Sequence, residues 1–197
     1  MLETIMTIHS SPAKIHWNYF LALEKDLESL SRYIEFSESN FYVYSIELAH
    51  LLFAAASEVD VIAKMLCIQI APNAPRGNIN EYREVLLPNI HALATTQVRI
   101  PRYGLHFSPW ENWANGSNPD WWRSYNNVKH ERNAYFHEAT LKNALNALGA
   151  LHILTFHLYW LALKTNANIL PGPTEANAQL HPRSSLLRLD EQFASLE

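Results

Sequence analysis

A short polar and basic stretch, residues 125–137, holds an arginine and a histidine five positions apart. The arginine is Arg132, which the polar Asn133 follows, and the histidine is His137. A guanidinium group is a permanently charged, forked donor that can neutralise the oxygens of a phosphate. An imidazole titrates near neutral pH and can accept or donate a proton. These residue types at this spacing therefore indicate phosphate chemistry that needs no metal ion.

Helical geometry would gather the polar side chains of this stretch on one side. At about 100° per residue, one stripe of a helix contains the following residues: Lys129, Arg132, Asn133, Phe136, His137 and Thr140. Arg132 and His137 would lie at its two flanks, about 140° apart, from where both side chains can reach one phosphate. Asn133 could orient either partner, and Lys129 and His130 are secondary candidates for phosphate contact. The alternative is a solvent-exposed helix face on which the arginine and the histidine occur by chance.

The composition indicates a folded domain in a reducing compartment. The chain has 197 residues, of which 48% are hydrophobic, enough to bury a core. Its single cysteine, Cys67, excludes an internal disulfide framework and favours the cytoplasm. Cys67 lies on an apolar helical run, which predicts a buried side chain. The net charge of -4 argues against bulk coating of nucleic acid but leaves room for a local phosphate site.

Two stretches decide whether a membrane is involved. Residues 1–13 lack a basic region followed by an apolar core, so we expect no signal peptide. Residues 143–163 contain no Asp, Glu, Lys or Arg and are long enough to span a bilayer. Two asparagines and two histidines lie within that stretch, and polar groups are costly in a membrane. We therefore interpret it as a buried core helix and expect no membrane partner.

Helical periodicity dominates the chain and predicts an all-α fold with about four to five main helices. The predicted helices cover residues 16–34, 41–70 and 80–86, a segment that begins near 119 or 120 and carries 132–137, and residues 140–164. Between them, residues 88–119 form an irregular loop insertion, with a short extended piece at 95–100. We expect a helical domain over residues 1–170 and a polar C-terminal arm over 171–197. Within the arm, residues 184–193 predict one short helix.

The loop insertion mixes cations with aromatic side chains. No acidic residue lies between Glu84 and Glu111, whereas Arg99 and Arg102 do. The interleaved aromatic residues are Tyr103, Phe107, Trp110 and Trp113. Such a mixture can hold single-stranded RNA; alternatively, the aromatic residues cover the core. The neighbouring pair at 121 and 122, both tryptophan, favours packing or a dimer contact over base stacking.

Motifs for other kinds of chemistry are missing. The His-Glu pairs at 130–131 and 137–138 lack the second histidine of a zinc-binding His-Glu-x-x-His helix. His152 and His157, five residues apart, are poorly spaced for chelation. There is no glycine-rich phosphate loop and no Gly-x-Ser-x-Gly nucleophile turn. The sequence therefore predicts neither a metal ion nor a cofactor.

The segment 132–137, read as Arg-Asn-Ala-Tyr-Phe-His, resembles the motif of the HEPN family of helical proteins. That motif is an arginine, often followed by a polar residue, with four to six residues before a histidine. The surroundings are similar too: 45–60 resembles an early helix of bacterial HEPN-like proteins, and 121–141 resembles the region that leads through the motif. The resemblance covers roughly residues 15–165 and implies a HEPN-like helical bundle.

Many members of this family are metal-independent endoribonucleases, so the resemblance implies RNA cleavage by attack of the 2′-hydroxyl. His137 would act as general base or acid, Arg132 would stabilise charge on the phosphoryl oxygens, and Asn133 would position one of them. It also implies a homodimer with a composite site and a role as a toxin or defence effector. An antitoxin or regulatory protein would be a further partner.

Two acidic residues on the early helix, Glu58 and Asp60, resemble family positions that could support the site. Two residues apart, they cannot share a helix face. We expect one of them to pair with Arg132 and the other to be solvated, with Asp60 and Lys64 forming an ion pair four residues apart.

The competing hypothesis is a non-catalytic HEPN-like dimeric module that binds RNA, a nucleotide or a partner protein. The two hypotheses differ in the expected geometry. An enzyme needs Arg132 and His137 exposed in a cleft, within reach of one phosphate. A scaffold would bury both residues and satisfy them with hydrogen bonds.

Overall fold

A computed structural model describes residues 13–167 and 172–189, and this part of the chain is mostly helical. The helices are α1 (Ile15–Leu30), α2 (Ile46–Ile70), α3 (Ile79–Asn89), α4 (Asp120–His130), α5 (Arg132–Tyr135), α6 (Leu141–Ala167) and α7 (Pro173–Ala178). The strands are β1 (Val98–Ile100), β2 (Leu105–Phe107) and β3 (Arg188–Leu189). Short 3₁₀ turns occupy Glu38–Asn40, Pro101–Tyr103, Glu111–Asn115 and Phe136–Glu138. Residues 1–12, where no signal peptide is expected, lie outside the described residues.

The long helices α2 and α6 pack against each other and form the centre of the molecule. Helix α2 begins where the Ser45 side chain caps it by accepting a hydrogen bond from the Leu48 amide at 3.1 Å. Its inward face consists of leucine, isoleucine, valine and alanine side chains that are almost fully buried. Helices α1, α3 and α4 pack around α2, and α1 and α4 also contact α6. Burial of these apolar faces is the main force holding the bundle together.

Helix α6 confirms the predicted core helix. Residues 141–163 are long and apolar enough to cross a membrane by length and composition, but 78% of the apolar window is buried inside the protein. The buried side chains include both histidines, His152 and His157. This burial is consistent with the core helix of a soluble protein.

Side-chain caps mark the starts of α2 and α3, and tertiary pairing explains why α2 starts later than predicted. Helix α3 begins at the predicted cap, since the Asn78 side chain accepts from the amides of Asn80 and Glu81. Helix α2 begins five residues later than predicted. Residues 41–44 instead bond to the start of α6: Val43 accepts from the Leu141 amide at 2.9 Å.

A small antiparallel sheet corrects the expectation of an all-α fold. Its order is β2-β1-β3, with Val98 opposite Phe107 and Arg99 opposite Arg188. Strand β1 lies within the stretch predicted to be extended, and its Val98 and Ile100 side chains point into the core. Strand β3 lies where a short helix over 184–193 was predicted, so that prediction is wrong as far as residue 189. The rest of that stretch, and the boundary at 170–171, lie outside the described residues.

The C-terminal segment 172–189 packs against the helical bundle. Its Leu180, Leu186 and Leu187 side chains are buried. The Trp17 indole N–H of α1 donates to the backbone oxygen of Pro182 at 2.9 Å. The carboxylate of Glu24, also on α1, accepts hydrogen bonds from several donors in residues 184–187. This segment is therefore part of the core and of the sheet.

The tryptophans of the irregular region form one packed cluster with the two at the start of α4. The rings of Trp110 and Trp113 lie 4.3 Å apart, and Trp121 meets Trp110 edge to face at 5.4 Å. All three side chains are at most 2% exposed, and that of Trp122 is 9% exposed. Because their surfaces are buried, the interpretation that these aromatic residues cover the core is confirmed. Base stacking on them is excluded in this conformation.

Burial also keeps three titratable core groups, Cys67, His152 and His157, uncharged near neutral pH. Burial raises the pKa of the Cys67 thiol to about 11, so it is not a reactive thiolate. Burial lowers the pKa of His152 to about 4 and that of His157 to about 3. Both imidazoles are therefore neutral in the folded protein at pH 7.

These two histidines make the protein less stable in mild acid. Below about pH 6.5 the unfolded chain binds protons that the folded protein does not, so the free energy of unfolding falls as the pH is lowered. Each histidine contributes up to about 1.4 kcal/mol per pH unit until its folded pKa is reached. Urea unfolding between about pH 7.5 and 5 measures this slope. His157→Gln should flatten it by about half, whereas the exposed His91→Gln should not; equal slopes for all three proteins would contradict the expectation.

Candidate functional site

The segment that carries the arginine and the histidine is a sharp turn between two helices. Helix α4 ends at His130, and Glu131 leaves the helical conformation with φ -136° and ψ 55°. One turn of α-helix, α5, and a 3₁₀ turn then lead to α6. The predicted continuous helix through 132–137, with its single polar stripe, is therefore wrong. Helices α4 and α6, on either side of the break, both pack against α2.

Apolar side chains of the turn hold it against the bundle. Tyr135 and Phe136 pack on a small buried cluster formed by Ala49 of α2, Val128 of α4 and Ala139. The Phe136 ring also meets the Tyr44 ring edge to face at 5.7 Å. The turn is thus bound to α2 and α4, which gives its polar side chains a rigid base.

Hydrogen bonds secure the far end of the turn. The Asn127 amide donates to the Glu138 carboxylate at 3.1 Å and 3.3 Å. The Asn143 side chain donates to the Glu138 backbone oxygen at 2.8 Å, and the Thr140 hydroxyl caps α6 by accepting from the Asn143 amide at 3.2 Å. Because Glu138 is engaged on both sides, its carboxylate faces Asn127 and makes no ion pair with the cations of the turn within the described residues.

The three leading candidates, Arg132, Asn133 and His137, are all exposed on this turn. None of their side chains makes a hydrogen bond or an ion pair with another described residue. The Arg132 guanidinium carbon lies 5.2 Å from the centre of the Phe53 ring, a cation–π contact that steadies it. From the helical rise, the backbones of residues 132 and 137 are separated by roughly 8–10 Å. A backbone separation of this size is compatible with contact of both side chains to one phosphate.

The secondary candidates divide into two groups. Lys129 and His130 are exposed in the last turn of α4, beside the leading residues, and the Lys129 ammonium lies 5.4 Å from the Tyr125 ring centre. Arg99 and Arg102 lie instead on and beside the sheet. Arg102 pairs with Glu28 of α1 at 3.6 Å. The sheet packs against the middle of α6, whereas the turn precedes its first residue, so the structure does not bring these arginines to the turn.

The predicted acidic support for Arg132 is wrong. Glu58 pairs with His16 of α1 at 2.5 Å, and Asp60 accepts from the Tyr82 hydroxyl at 2.7 Å. Arg132 lies over Phe53, and Glu58 and Asp60 are about 8 and 10 Å further along α2. The predicted ion pair between Asp60 and Lys64 is confirmed. Both carboxylates thus tie α2 to its neighbours or to itself.

An exposed apolar patch beside the turn was missed at the sequence level. It consists of Tyr42, Val43, Tyr44 and Ile46, whose exposures are 78%, 39%, 51% and 63%. Tyr44 joins the patch to the turn through its contact with Phe136 and its bridge to Thr140. Periodicity had placed residues 42–44 inside a helix, which hid their exposure. Clustered exposed apolar side chains of this kind are typical of interaction surfaces.

The exposure of Arg132 and His137 agrees with what an enzyme requires. Two cavities formed by described residues lie elsewhere, one between α1 and α2 and one beside the sheet. Within residues 13–167 and 172–189, no three His, Cys, Asp or Glu side chains lie close enough to hold a metal ion.

Comparisons with known proteins leave the site to be judged on its own geometry. No family model matches the chain, and no curated protein or solved structure matches it. The residues and their placement are thus the basis for any assignment of function.

Proposed function

We propose that the protein is a metal-independent endoribonuclease with a HEPN-like fold, in which Arg132 and His137 act on the scissile phosphate. The observation that carries this proposal is the exposure of both side chains on the turn. Both are exposed on a rigid turn and make no hydrogen bond or ion pair within the described residues. A scaffold role would instead bury the two side chains and satisfy them with hydrogen bonds. The mostly helical fold supports the proposal.

The chemistry follows from the two side chains. A neutral His137 imidazole accepts the proton of the RNA 2′-hydroxyl, whose oxygen attacks the adjacent phosphorus. The bond to the 5′-oxygen of the next nucleotide breaks, and that oxygen leaves with a proton from an imidazolium. The products are a 2′,3′-cyclic phosphate and a 5′-hydroxyl end. Arg132 stabilises the charge that accumulates on the non-bridging oxygens, and the Asn133 amide donates to one of them.

A second copy of the chain would complete the site. One histidine cannot remove a proton and supply another in the same step, so two imidazoles are better than one. The patch formed by Tyr42, Val43, Tyr44 and Ile46 adjoins the turn and would be buried by a second copy. We propose that the protein is a homodimer of the cytoplasm, in which the two turns face each other. A toxin or defence role, with an antitoxin or regulatory protein, extends the same proposal.

Charge placed in the patch should separate the two chains. Ile46→Glu is expected to convert dimers to monomers and to lower RNA cleavage at least tenfold, because a buried unpaired carboxylate costs several kcal/mol. Light scattering coupled to size-exclusion chromatography measures the mass. The matched control is Ile68→Glu, an exposed isoleucine about 33 Å further along α2. Equal masses for both variants would contradict the assignment of this patch.

Cleavage of a structured RNA mixture, such as total tRNA, tests the activity directly. The purified protein should cut RNA in EDTA and leave cyclic phosphate and 5′-hydroxyl ends. An oligonucleotide with a 2′-deoxy residue at the cleaved position should resist, because the nucleophile is absent. Cutting of that oligonucleotide, or activity only after metal is restored, would overturn the mechanism.

The open surface around the turn favours one other function. Because they are exposed, Arg132, Lys129 and their neighbours can bind a phosphate backbone without cutting it. The protein would then be a dimeric module that binds RNA, a nucleotide or a partner protein. RNA binding that depends on Arg132, with no cleavage under any tested condition, would favour this module over the enzyme.

A further inference from the structure

The groove between helices α1 and α2 combines an apolar lining with negative charge. It has a volume of about 280 Å³. Its aliphatic lining consists of Leu23, Leu30, Leu51 and Ala54. The carboxylate-bearing residues Asp26 of α1 and Glu47 of α2 line it as well, and the described lining residues include no lysine or arginine. A groove of this composition attracts a ligand that is partly hydrocarbon and positively charged.

The two carboxylate-bearing residues lie at the same height on opposite sides of the groove. Helices α1 and α2 are antiparallel, because His16 near the start of α1 meets Glu58 in the second half of α2. From that contact, Asp26 is about 15 Å further along α1, and Glu47 is about 16 Å back along α2. The axes of packed helices are about 8–10 Å apart. A ligand with two positive ends can therefore meet both carboxylates at once.

Both carboxylates are available to a ligand. Asp26 is exposed and makes no hydrogen bond or ion pair with another described residue. Glu47 lies 3.8 Å from Nδ1 of His50, and the two side chains are 68% and 66% exposed. A contact this long between exposed groups is weak, so an incoming ammonium group can replace it. The Ser29 hydroxyl also lines the groove and keeps lone pairs that accept an N–H bond.

An exposed aromatic ring lines the groove beside these polar groups. Tyr33 belongs to the lining, and 82% of its surface is open to solvent. The face of a phenol ring attracts an ammonium group and packs against methylene groups. The buried side chains of Leu23 and Leu51 provide apolar surface for the same methylene groups. The groove thus offers a partner for each part of an aliphatic amine.

The same composition argues against two other kinds of ligand. Within the described part of the chain, no three His, Cys, Asp or Glu side chains are placed to hold a metal ion, so His50 does not complete a metal site with the two carboxylates. Two carboxylates repel phosphate groups, so the groove does not extend the phosphate site at the turn. None of the exposed patch residues at 42–46 lines it.

We propose that this groove binds an aliphatic diamine, with one ammonium group at Asp26, the other at Glu47, and the methylene chain against the leucines. The volume lies at the low end for small-molecule sites, which suits a short unbranched chain. At standard bond lengths, a chain of about five methylene groups separates its two nitrogens by about 7–8 Å. That length is of the same order as the distance between the two helix axes. The site does not depend on the proposed ribonuclease activity.

Calorimetric titration at low ionic strength with 1,5-diaminopentane tests the site, with pentylamine and 1,5-pentanediol as comparison ligands. The diamine should bind about fivefold more tightly than pentylamine, because it gains a second exposed ion pair, and the diol should not bind measurably. The double variant Asp26→Asn, Glu47→Gln should weaken binding of the diamine at least tenfold. Both residues are exposed and both replacements keep the side-chain shape, so the fold should survive.

The matched control is Glu38→Gln, which removes an exposed carboxylate that does not line the groove. Diamine binding by this variant should equal that of the wild type. In ¹H–¹⁵N NMR spectra, the backbone amides of Leu30 and Ala54 should shift with added diamine, whereas that of Asn133 on the turn should not. No saturable binding at millimolar diamine, equal affinity for pentylamine, or undiminished binding by the double variant would overturn the proposal.

Discussion

Replacing His137 with alanine is expected to lower RNA cleavage by roughly 10²–10⁴-fold, the usual contribution of a general acid or base. Arg132→Ala should lower it by roughly 10²–10³-fold, because the charge on the phosphoryl oxygens loses its nearest stabilising donor. His137 takes part in proton transfer, so its loss should reduce kcat and change the dependence of kcat on pH. Single-turnover cleavage of a defined RNA, followed between about pH 5.5 and 8.5, measures both effects.

Neither substitution should unfold the protein. Arg132 and His137 are exposed and make no hydrogen bonds within the described residues, and surface changes of this kind usually cost under about 0.5 kcal/mol. Arg132→Ala also loses the cation–π contact with Phe53, worth about 0.5–1 kcal/mol. Thermal unfolding of each variant separates loss of chemistry from loss of structure.

Exposed residues of the same types supply the controls. Arg32 and His91 lie outside the turn and are exposed, so Arg32→Ala and His91→Ala should cleave as fast as the wild type. If all four variants cleave equally, the turn is not the site. If no protein cleaves, the binding module becomes the better proposal, and RNA affinity should then fall with Arg132→Ala.

Long periodic elements were predictable because their structure is dictated by their own residues. The stripes of leucine, isoleucine and alanine in α2 and α6 repeat over six or seven turns, enough to specify a buried helix face. The start of α3 was predictable since an asparagine cap acts within one turn, through Asn78 and the amides that follow. These features need no knowledge of the rest of the fold.

The break at Glu131 was not predictable from local signals. No proline or glycine lies between residues 120 and 148, so nothing in the local sequence ends a helix there. The turn exists because Tyr135 and Phe136 gain burial on the cluster around Ala49 and Val128. Tertiary packing thus overrides helical propensity, and it places the candidate residues on a turn instead of a stripe.

The sheet and its cavity could not be predicted because they depend on distant pairing. Strand β3 has only two residues and meets β1 some ninety residues earlier in the chain. Strands this short carry no usable alternation of polar and apolar residues. Arg99 was identified as a phosphate candidate from composition alone, but its opposition to Arg188 emerges only from the register of the sheet.

The buried carboxylate of Glu24 should be the most important single side chain for holding the C-terminal segment. It accepts from the amides of Ser185, Leu186 and Leu187 at 3.0, 3.1 and 2.9 Å, and from the Ser184 hydroxyl. Glu24→Ala would leave three backbone N–H groups without acceptors in a largely buried place. Since each unsatisfied donor costs about 1–3 kcal/mol, we expect a loss of roughly 3–5 kcal/mol of stability.

Urea unfolding and limited proteolysis measure the two consequences of that change. Stability should fall by the amount stated, and residues 172–189 should be cleaved before the helical bundle. Glu24→Gln should be intermediate, because its amide oxygen accepts from some of the donors while its NH₂ group opposes the others. Glu28→Ala, one turn along α1, removes only an exposed ion pair with Arg102 and should cost under about 1 kcal/mol. If Glu24→Ala proves as stable as Glu28→Ala, the segment is held by its leucines alone. If instead only Glu24→Ala frees the segment, the positions of Arg183, Arg188 and β3 depend on this one carboxylate.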